Sequence, residues 1–314
     1  MKKLYVKRET KEQLTAGLIR LLVIIPILYV ILYPLFTMVS DAIKDQFQMM
    51  DPSVAWIPKE PTFENFKKAW IALEYPISFA RTLEINVLSA LIEVVSCSLV
   101  AYGIARFEFR LKKVFLALLI INIVVPIEMI AVPTFLQLQY VDLFGILGGI
   151  GKLIGKELRP SLINTPFSFW LPSLLGVGLR SGFFIFIYVQ FFKGLPRELE
   201  EAAYIDGAGP VKTFLRIIIP SSATAMLTVT IFSVIWHWND YYLSSLYFSS
   251  KYPLAVQLAD IDNLLSIHIT LDSVTTRNGI VMAASLLFIL PMLAMYLILQ
   301  KKFVKSIDSV GIVG

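Results

Sequence analysis

Three groups of residues in this sequence have types and spacings that could do chemistry. The first is Trp236-His237-Trp238-Asn239-Asp240-Tyr241. Flat indole faces beside an amide and a carboxylate suit sugar rings. Asn239 and Asp240 fall three and four residues from Trp236, so indole and polar group can share one helical face. An interfacial belt of tryptophans is the plain alternative. The second group is the acids Glu93 and Glu128, set with Asn86 and Asn122 in otherwise apolar runs. Acids at membrane depth can relay protons or line a pathway. Neither has a basic partner in reach along the sequence, so hydrogen-bonded packing between helices is the favoured reading.

The third group is residues 195–220, the one long polar interruption in the second half. Pro196 suits a first helical turn. Glu198, Glu200 and Glu201 follow, where the helix dipole favours anions. Gly207 fits a left-handed helix stop. Pro210 can start a second helix in which Val211, Phe214, Leu215 and Ile218 form an apolar stripe. Lys212 and Arg216 take its other face. Ala202 and Ala203 form a small-residue patch that another surface could approach. The spacing therefore predicts helix, glycine turn, helix at a membrane surface.

Residues 145–152 imitate a phosphate-binding loop. The spacing before Gly151-Lys152 is one residue too long, and Leu153 stands where Ser or Thr is required. No nucleotide site is expected there.

The remaining composition says what must carry these groups. Of 314 residues, 57% are hydrophobic, and the mean hydropathy is +0.72. This is an integral membrane protein. Apolar runs of spanning length, roughly 20 residues, occur at 21–39, 83–105, 114–136, 171–192, 221–246 and 279–299. Pro126 and Pro133 interrupt the third run. Breaks at that depth are tolerated where protein or water covers the freed backbone. The first run is too long for a signal core, and no small-x-small cleavage site follows it. Pro61-Thr62 should start a short helix carrying Phe63, Phe66 and Trp70 on one face. The only cysteine, Cys97, excludes an internal disulfide. Two histidines and one cysteine make a dedicated metal site improbable. The net charge of +5 does not point to nucleic acid, because the basic residues flank apolar runs. Sixteen Lys and Arg fall in 1–17, 106–113, 193–219 and 301–314. Ten fall in the longer segments 40–82, 137–170 and 242–278. That bias places both termini and residues 195–220 in the cytoplasm.

Glu201-Ala202-Ala203, three residues, Gly207, and the Ile217–Pro220 end resemble the EAA loop of permease subunits in binding-protein-dependent ATP-binding cassette importers. Asp206 before the glycine fits as well. Several further phrases resemble the carbohydrate-importing, maltose-type branch of that family: Trp56-Ile57-Pro58, Pro61 to Asn65, Ala101 to Phe107, Phe191 to Pro196, Trp236 to Tyr241 and Gln300 to Lys305. The last residues, Ile307 to Gly314, depart from the family's usual ending.

The resemblance implies an all-α membrane protein of six transmembrane helices with a cytoplasmic coupling helix, the type I importer permease fold. It divides as follows: cytoplasmic tail 1–20, first membrane helix 21–39, extracytoplasmic loop 40–82, permease core 83–300 containing the coupling loop 195–220, and cytoplasmic tail 301–314. It implies that Glu201, Ala202, Ala203, Asp206, Gly207 and Gly209 contact a separate, dimeric ATPase. It also implies a second homologous permease, an extracellular sugar-binding protein and surrounding membrane lipid. ATP and Mg would be bound by the ATPase, leaving no cofactor in this chain, which is then not itself an enzyme. Trp236, Trp238, Asn239 and Asp240 are the candidate pathway residues. A proton-coupled secondary transporter using Glu93 and Glu128 is the second reading. Such carriers often show two related halves, and no clear repeat is visible.

Overall fold

The computed structural model describes the backbone of residues 2–142, 145–269 and 274–310, and the side chains of 15–142, 145–269 and 275–300. Every regular element among the described residues is helical. The chain divides into two units, residues 1–73 with 261–290, and residues 74–260 with 291–314.

The first unit begins with α1 (Lys2–Ala42), followed by α2 (Gln46–Met50) and α3 (Glu64–Ala72). From Leu18 to Val39, α1 shows its apolar side chains outward, as a lipid-facing helix does. The polar link after it is held by buried donors. Asn65 Nδ2 donates to the carbonyls of Ala42 (3.1 Å) and Lys44 (2.7 Å). Helix α3 exists where Pro61-Thr62 forecast it, but its inward face is Asn65, Ala69 and Ala72. Phe63 and Trp70 point outward. Small residues and one donor-rich amide fit the close backbone contacts there better than bulky rings.

The second unit is built on α4 (Tyr75–Arg106). This helix starts eight residues before the forecast span at Leu83. Pro76 is tolerated in its first turn. The Thr82 hydroxyl donates to the Ser78 carbonyl at 2.7 Å, so the polar residues here do not stop the helix. The third forecast span is two helices, α5 (Lys112–Val124) and α6 (Ile127–Gln139), bent by 105°. Pro126 makes the break with an extended backbone. Pro133 stays inside α6 and breaks nothing.

Helix α7 (Ile146–Ile154) precedes a fourth span that is also divided, into α8 (Phe167–Leu174) and α9 (Ser181–Gly194). Gly176 (φ 71°) and Arg180 (φ 63°) turn the backbone left-handed between them. A side chain at Gly178 would lie 2.6 Å from Glu93 Oε1, so only glycine fits. Next come α10 (Glu198–Ile205), α11 (Pro210–Thr213), a π-helical turn over Phe214–Ile218, and α12 (Ile219–Ser221). Helix α13 (Ala223–Trp238) follows, at 79° to the piece before it. The chain then breaks before α14 (Tyr242–Tyr247) and α15 (Leu254–Ala259).

Helix α4 packs against α8, α9 and α13. Cys97, Ala101, Phe184, Tyr188, Val189 and Phe192 form the centre of that core, each fully buried. The chain returns to the first unit with α16 (Ile261–His268), which packs on α3, and α17 (Val274–Val310). Asp272, expected in an outer loop, lies outside the described residues, as do the side chains of the terminal lysines.

Of the six forecast spans, three are continuous helices of crossing length: Thr15–Ala42, Tyr75–Arg106 and Thr275–Gln300. Counting each bent pair as one span gives up to five, and α9 is a shorter apolar helix of 14 residues. Hydropathy reports how apolar a run is. It does not report whether proline or glycine bends it within the membrane.

Candidate functional site

Residues 195–220 fold into the helix, glycine turn and helix that their residue types dictate. Helix α10 begins one residue after Arg197, whose carbonyl accepts the Glu200 and Glu201 amides. Pro196 therefore sits just before the helix and not in its first turn. Three glutamates occupy that turn, where partial positive charge from unpaired amides favours them. The helix ends in a Schellman motif. The Ala208 amide donates to the Ala203 carbonyl at 2.9 Å, and the Gly207 amide to Tyr204 at 3.0 Å. Gly207 closes it at φ 74°, a conformation that costs other residues roughly 1–2 kcal/mol. Pro210 opens the next helix as forecast.

Two expectations about faces change. The stripe Val211, Phe214, Leu215, Ile218 is split: Phe214 and Ile218 are buried, Val211 and Leu215 exposed. The helix changes to a π-helical turn over Phe214–Ile218, within this stripe. The alanine patch is also split, with Ala203 buried and Ala202 exposed. Glu201, Asp206, Gly207 and Gly209 all face outward. Around them stand exposed Leu199, Tyr204, Ile205, Val211 and Leu215. The exposed surface of this stretch thus combines the carboxylates of Glu201 and Asp206 with apolar side chains.

What holds this face in place was not legible in the sequence. Arg106, at the end of α4, sets its Nε 2.9 Å from Glu200 Oε1, with both side chains nearly closed to solvent. Its Nη2 donates to the Leu195 carbonyl at 2.9 Å. Tyr102, one turn earlier, lays its ring 4.9 Å from Phe214 and 6.2 Å from Phe192. One end of α4 therefore grips the coupling stretch at its start, its first helix and its second. A buried ion pair that loses one partner costs about 3–5 kcal/mol, so the grip is stiff. Neighbouring Glu200 and Glu201 do opposite things: one anchors inward, one points out.

Glu93 is fully buried. Its carboxylate accepts the Ser181 hydroxyl at 2.9 Å and the Ser233 hydroxyl at 2.7 Å, tying α4 to α9 and α13. His237 Nδ1 lies 3.8 Å from it and 2.9 Å from the Ser233 carbonyl. Asn86 Nδ2 donates to the Val234 carbonyl at 3.0 Å. Glu128 is exposed on α6 and takes no part. This is the hydrogen-bonded packing that the apolar surroundings of Glu93 suggested, with His237 as a basic neighbour that sequence distance concealed.

The aromatic segment distributes its residues over different faces. Trp236 sits among Phe183, Phe184 and Phe232, with centroids 5.4–5.6 Å away, and Arg180 stands over its ring at 5.9 Å. Trp238 is buried, edge-on to Phe79. Asn239 is exposed and donates to the Ile235 carbonyl at 2.8 Å. Asp240 turns inward, accepting the Ser244 amide and hydroxyl, each at 2.8 Å, and so caps α14. Phe232, Trp236 and Asn239 remain along one face of α13.

The glycine run 146–154 is a helix, capped at Gly145 (φ 84°), and not a phosphate-wrapping loop. Beside Gly148, Asp142 pairs with Arg159 at 3.1 Å.

The family described as "Binding-protein-dependent transport system inner membrane component" matches residues 96–309. The melibiose/raffinose/stachyose import permease protein MelC of Bacillus subtilis is 31% identical over 84% of this chain and 86% of its own length. The diacetylchitobiose uptake system permease protein NgcG of Streptomyces coelicolor is 26% identical over 92% and 83%. The sn-glycerol-3-phosphate transport system permease protein UgpE of Pectobacterium atrosepticum is 28% identical over 89% and 92%. A solved bacterial ABC transporter involved in import of the acidic polysaccharide alginate shares the fold. Its TM-score is 0.71 over 93% of this chain and 98% of that one, at 19% identity. On these matches the chain belongs to the inner-membrane permease components of binding-protein-dependent transport systems, among their sugar permeases.

Proposed function

We propose that this chain forms part of the pathway of an ATP-driven importer carrying a sugar or oligosaccharide across a bacterial cytoplasmic membrane. The observation that carries this reading is the outward face of residues 199–215, centred on Glu201 and Gly207 and clamped from behind by Arg106 and Glu200. Such a face suits docking to a separate dimeric ATPase, which would hold ATP and Mg. A second permease of the same kind would complete the pathway, and an extracellular binding protein would deliver the sugar. Both termini and the coupling stretch are cytoplasmic in this reading. The segments 1–20, 21–39, 40–82, 83–300 and 301–314 serve as tail, first helix, outer loop, permease core and tail.

The mechanism is alternating access. Closure of the ATPase dimer displaces the coupling helix, and α4 carries the displacement inward. Moving a two-state equilibrium from 1:99 to 99:1 takes about 5.5 kcal/mol. A linkage that transmits this must not yield first, which is the role given to the buried ion pair and the glycine stop. The relatives named for melibiose, diacetylchitobiose and sn-glycerol 3-phosphate support a sugar or sugar-like solute. Proton coupling is the weaker reading, since Glu93 is fully buried between Ser181, Ser233 and His237 while Glu128 is exposed on α6.

Glu201→Lys is the deciding variant. Membrane insertion and folding should stay normal while ATP-driven uptake is abolished. Normal uptake by that variant would remove the coupling assignment.

A further inference from the structure

Among the lysines and arginines, Arg180 alone falls inside a forecast span. It caps the start of α9, which runs 14 residues to the coupling stretch, a rise of about 21 Å. That places the guanidinium at membrane depth, where a bare charge facing lipid is costly. Its side chain is exposed, and among the described residues no carboxylate is in ion-pair contact with it. Its recorded contact is the Trp236 ring. A charge in that position needs an aqueous pathway or an anion.

Beside it lies a partly open cavity of about 80 Å³, lined by α5, α6, α8, the link from Val177 to Arg180, and α14. That volume admits several waters or one compact charged group, since a single water needs roughly 10–15 Å³ on the same measure. The lining contains no acid: Asn122, Thr134, Ser168, Arg180 and Tyr247 are its polar members. Thr134 and Ser168 donate their hydroxyl protons to carbonyls of their own segments. The donors left to a ligand include the Arg180 guanidinium and the Asn122 amide. Asn122 rests against Gly182, where a side chain would meet its Oδ1. Gly178, Leu179 and Arg180 in the wall put the cavity at the N-terminal end of α9, whose dipole favours negative charge. Trp236, Phe183 and Phe232 extend an aromatic wall next to the guanidinium.

Resting on the transport reading above, we infer that the cavity beside Arg180 takes the anionic group, carboxylate or phosphate, of an acidic sugar-like solute. Arg180 and Asn122 hold the charge, and the Trp236 wall receives the ring that follows it. The transported class is then acidic, not neutral.

The test uses the full-length chain in lipid nanodiscs, followed by tryptophan fluorescence. The probes are glucuronate and glucose 6-phosphate, with uncharged glucose and inorganic phosphate as comparisons. A saturable change is expected with both organic acids and none with glucose. Arg180→Gln should weaken it at least tenfold, and Arg180→Lys should keep part of it. Equal responses to glucuronate and glucose, or an unchanged response in Arg180→Gln, overturns the inference. An absent response to both acids does so too. A response to inorganic phosphate as strong as to either acid marks a bare anion site and overturns the assignment to a solute. Loss of the chain's co-purification with its partner permease in Arg180→Gln would place a partner carboxylate there, with the same consequence. ATP-driven uptake of an uncharged sugar, equal in wild type and Arg180→Gln, would leave the transporter reading standing while the acidic class falls.

Discussion

Helix α9 has an arginine at each end, and the two are treated in opposite ways. At its C-terminal end Arg106, supplied by α4, is closed to solvent, 2.9 Å from Glu200 and bonded to the Leu195 carbonyl. At its other end Arg180 is exposed, with an aromatic ring beside it and no carboxylate in contact among the described residues. The first charge is spent on holding two segments together. The second remains available. The difference separates a charge used in internal packing from one left exposed beside an aromatic ring. The same division runs through neighbouring residues: Glu200 inward and Glu201 outward, Asp240 capping α14 and Asn239 exposed.

If the contrast is physical, substitutions should sort by it. Glu200→Ala leaves Arg106 buried and unpaired, and should destabilise the protein by about 3–5 kcal/mol. The double variant Arg106→Met with Glu200→Leu should recover most of that loss, because a well-packed apolar pair can replace a buried ion pair. Thermal unfolding in detergent measures both. A single-variant loss below about 1 kcal/mol would mean the pair is not the clamp.

Gly207→Ala forces a side chain into the left-handed stop, at a cost of roughly 1–2 kcal/mol. It should loosen α10, seen as faster protease cutting between residues 205 and 210. Unchanged cutting would show that the turn tolerates a side chain. Asp240→Ala removes the acceptor for the Ser244 amide and hydroxyl and should cost about 1 kcal/mol, as helix caps do. If it instead lowers uptake with no change in unfolding temperature, Asp240 belongs with the open residues.

At the outward end of the contrast, Glu201→Lys should change stability by less than about 0.5 kcal/mol, the usual range for surface substitutions, yet remove uptake. Asn239→Leu should be equally silent in unfolding and should lower uptake without loss of assembly. Wild-type values for both would take Asn239 out of the pathway.

The local architecture was largely readable. Apolar runs announced a helical membrane protein, Gly207 and Pro210 announced the stop and start within the coupling stretch, and Pro126 announced a break. These signals are short-range: a helix stop depends on one residue's allowed φ, and a proline break on one missing donor. Pro133 carries the same chemistry and breaks nothing, since a helix interior can absorb one lost hydrogen bond when packing holds its two sides.

Sequence alone determined that the chain is apolar and helical, where a helix stops and another starts around Gly207 and Pro210, and where charge must avoid lipid. It could not determine which of two adjacent glutamates turns inward. That depends on Arg106, 94 positions earlier, arriving at the same place. Nor could it bring His237 to Glu93, or leave Arg180 at the mouth of an acid-free cavity. Periodicity fixes a residue's angle on its own helix, while the neighbour it meets is fixed by how helices far apart in sequence pack. Only the tertiary structure sets the distances on which pairing, burial and vacancy of charge depend.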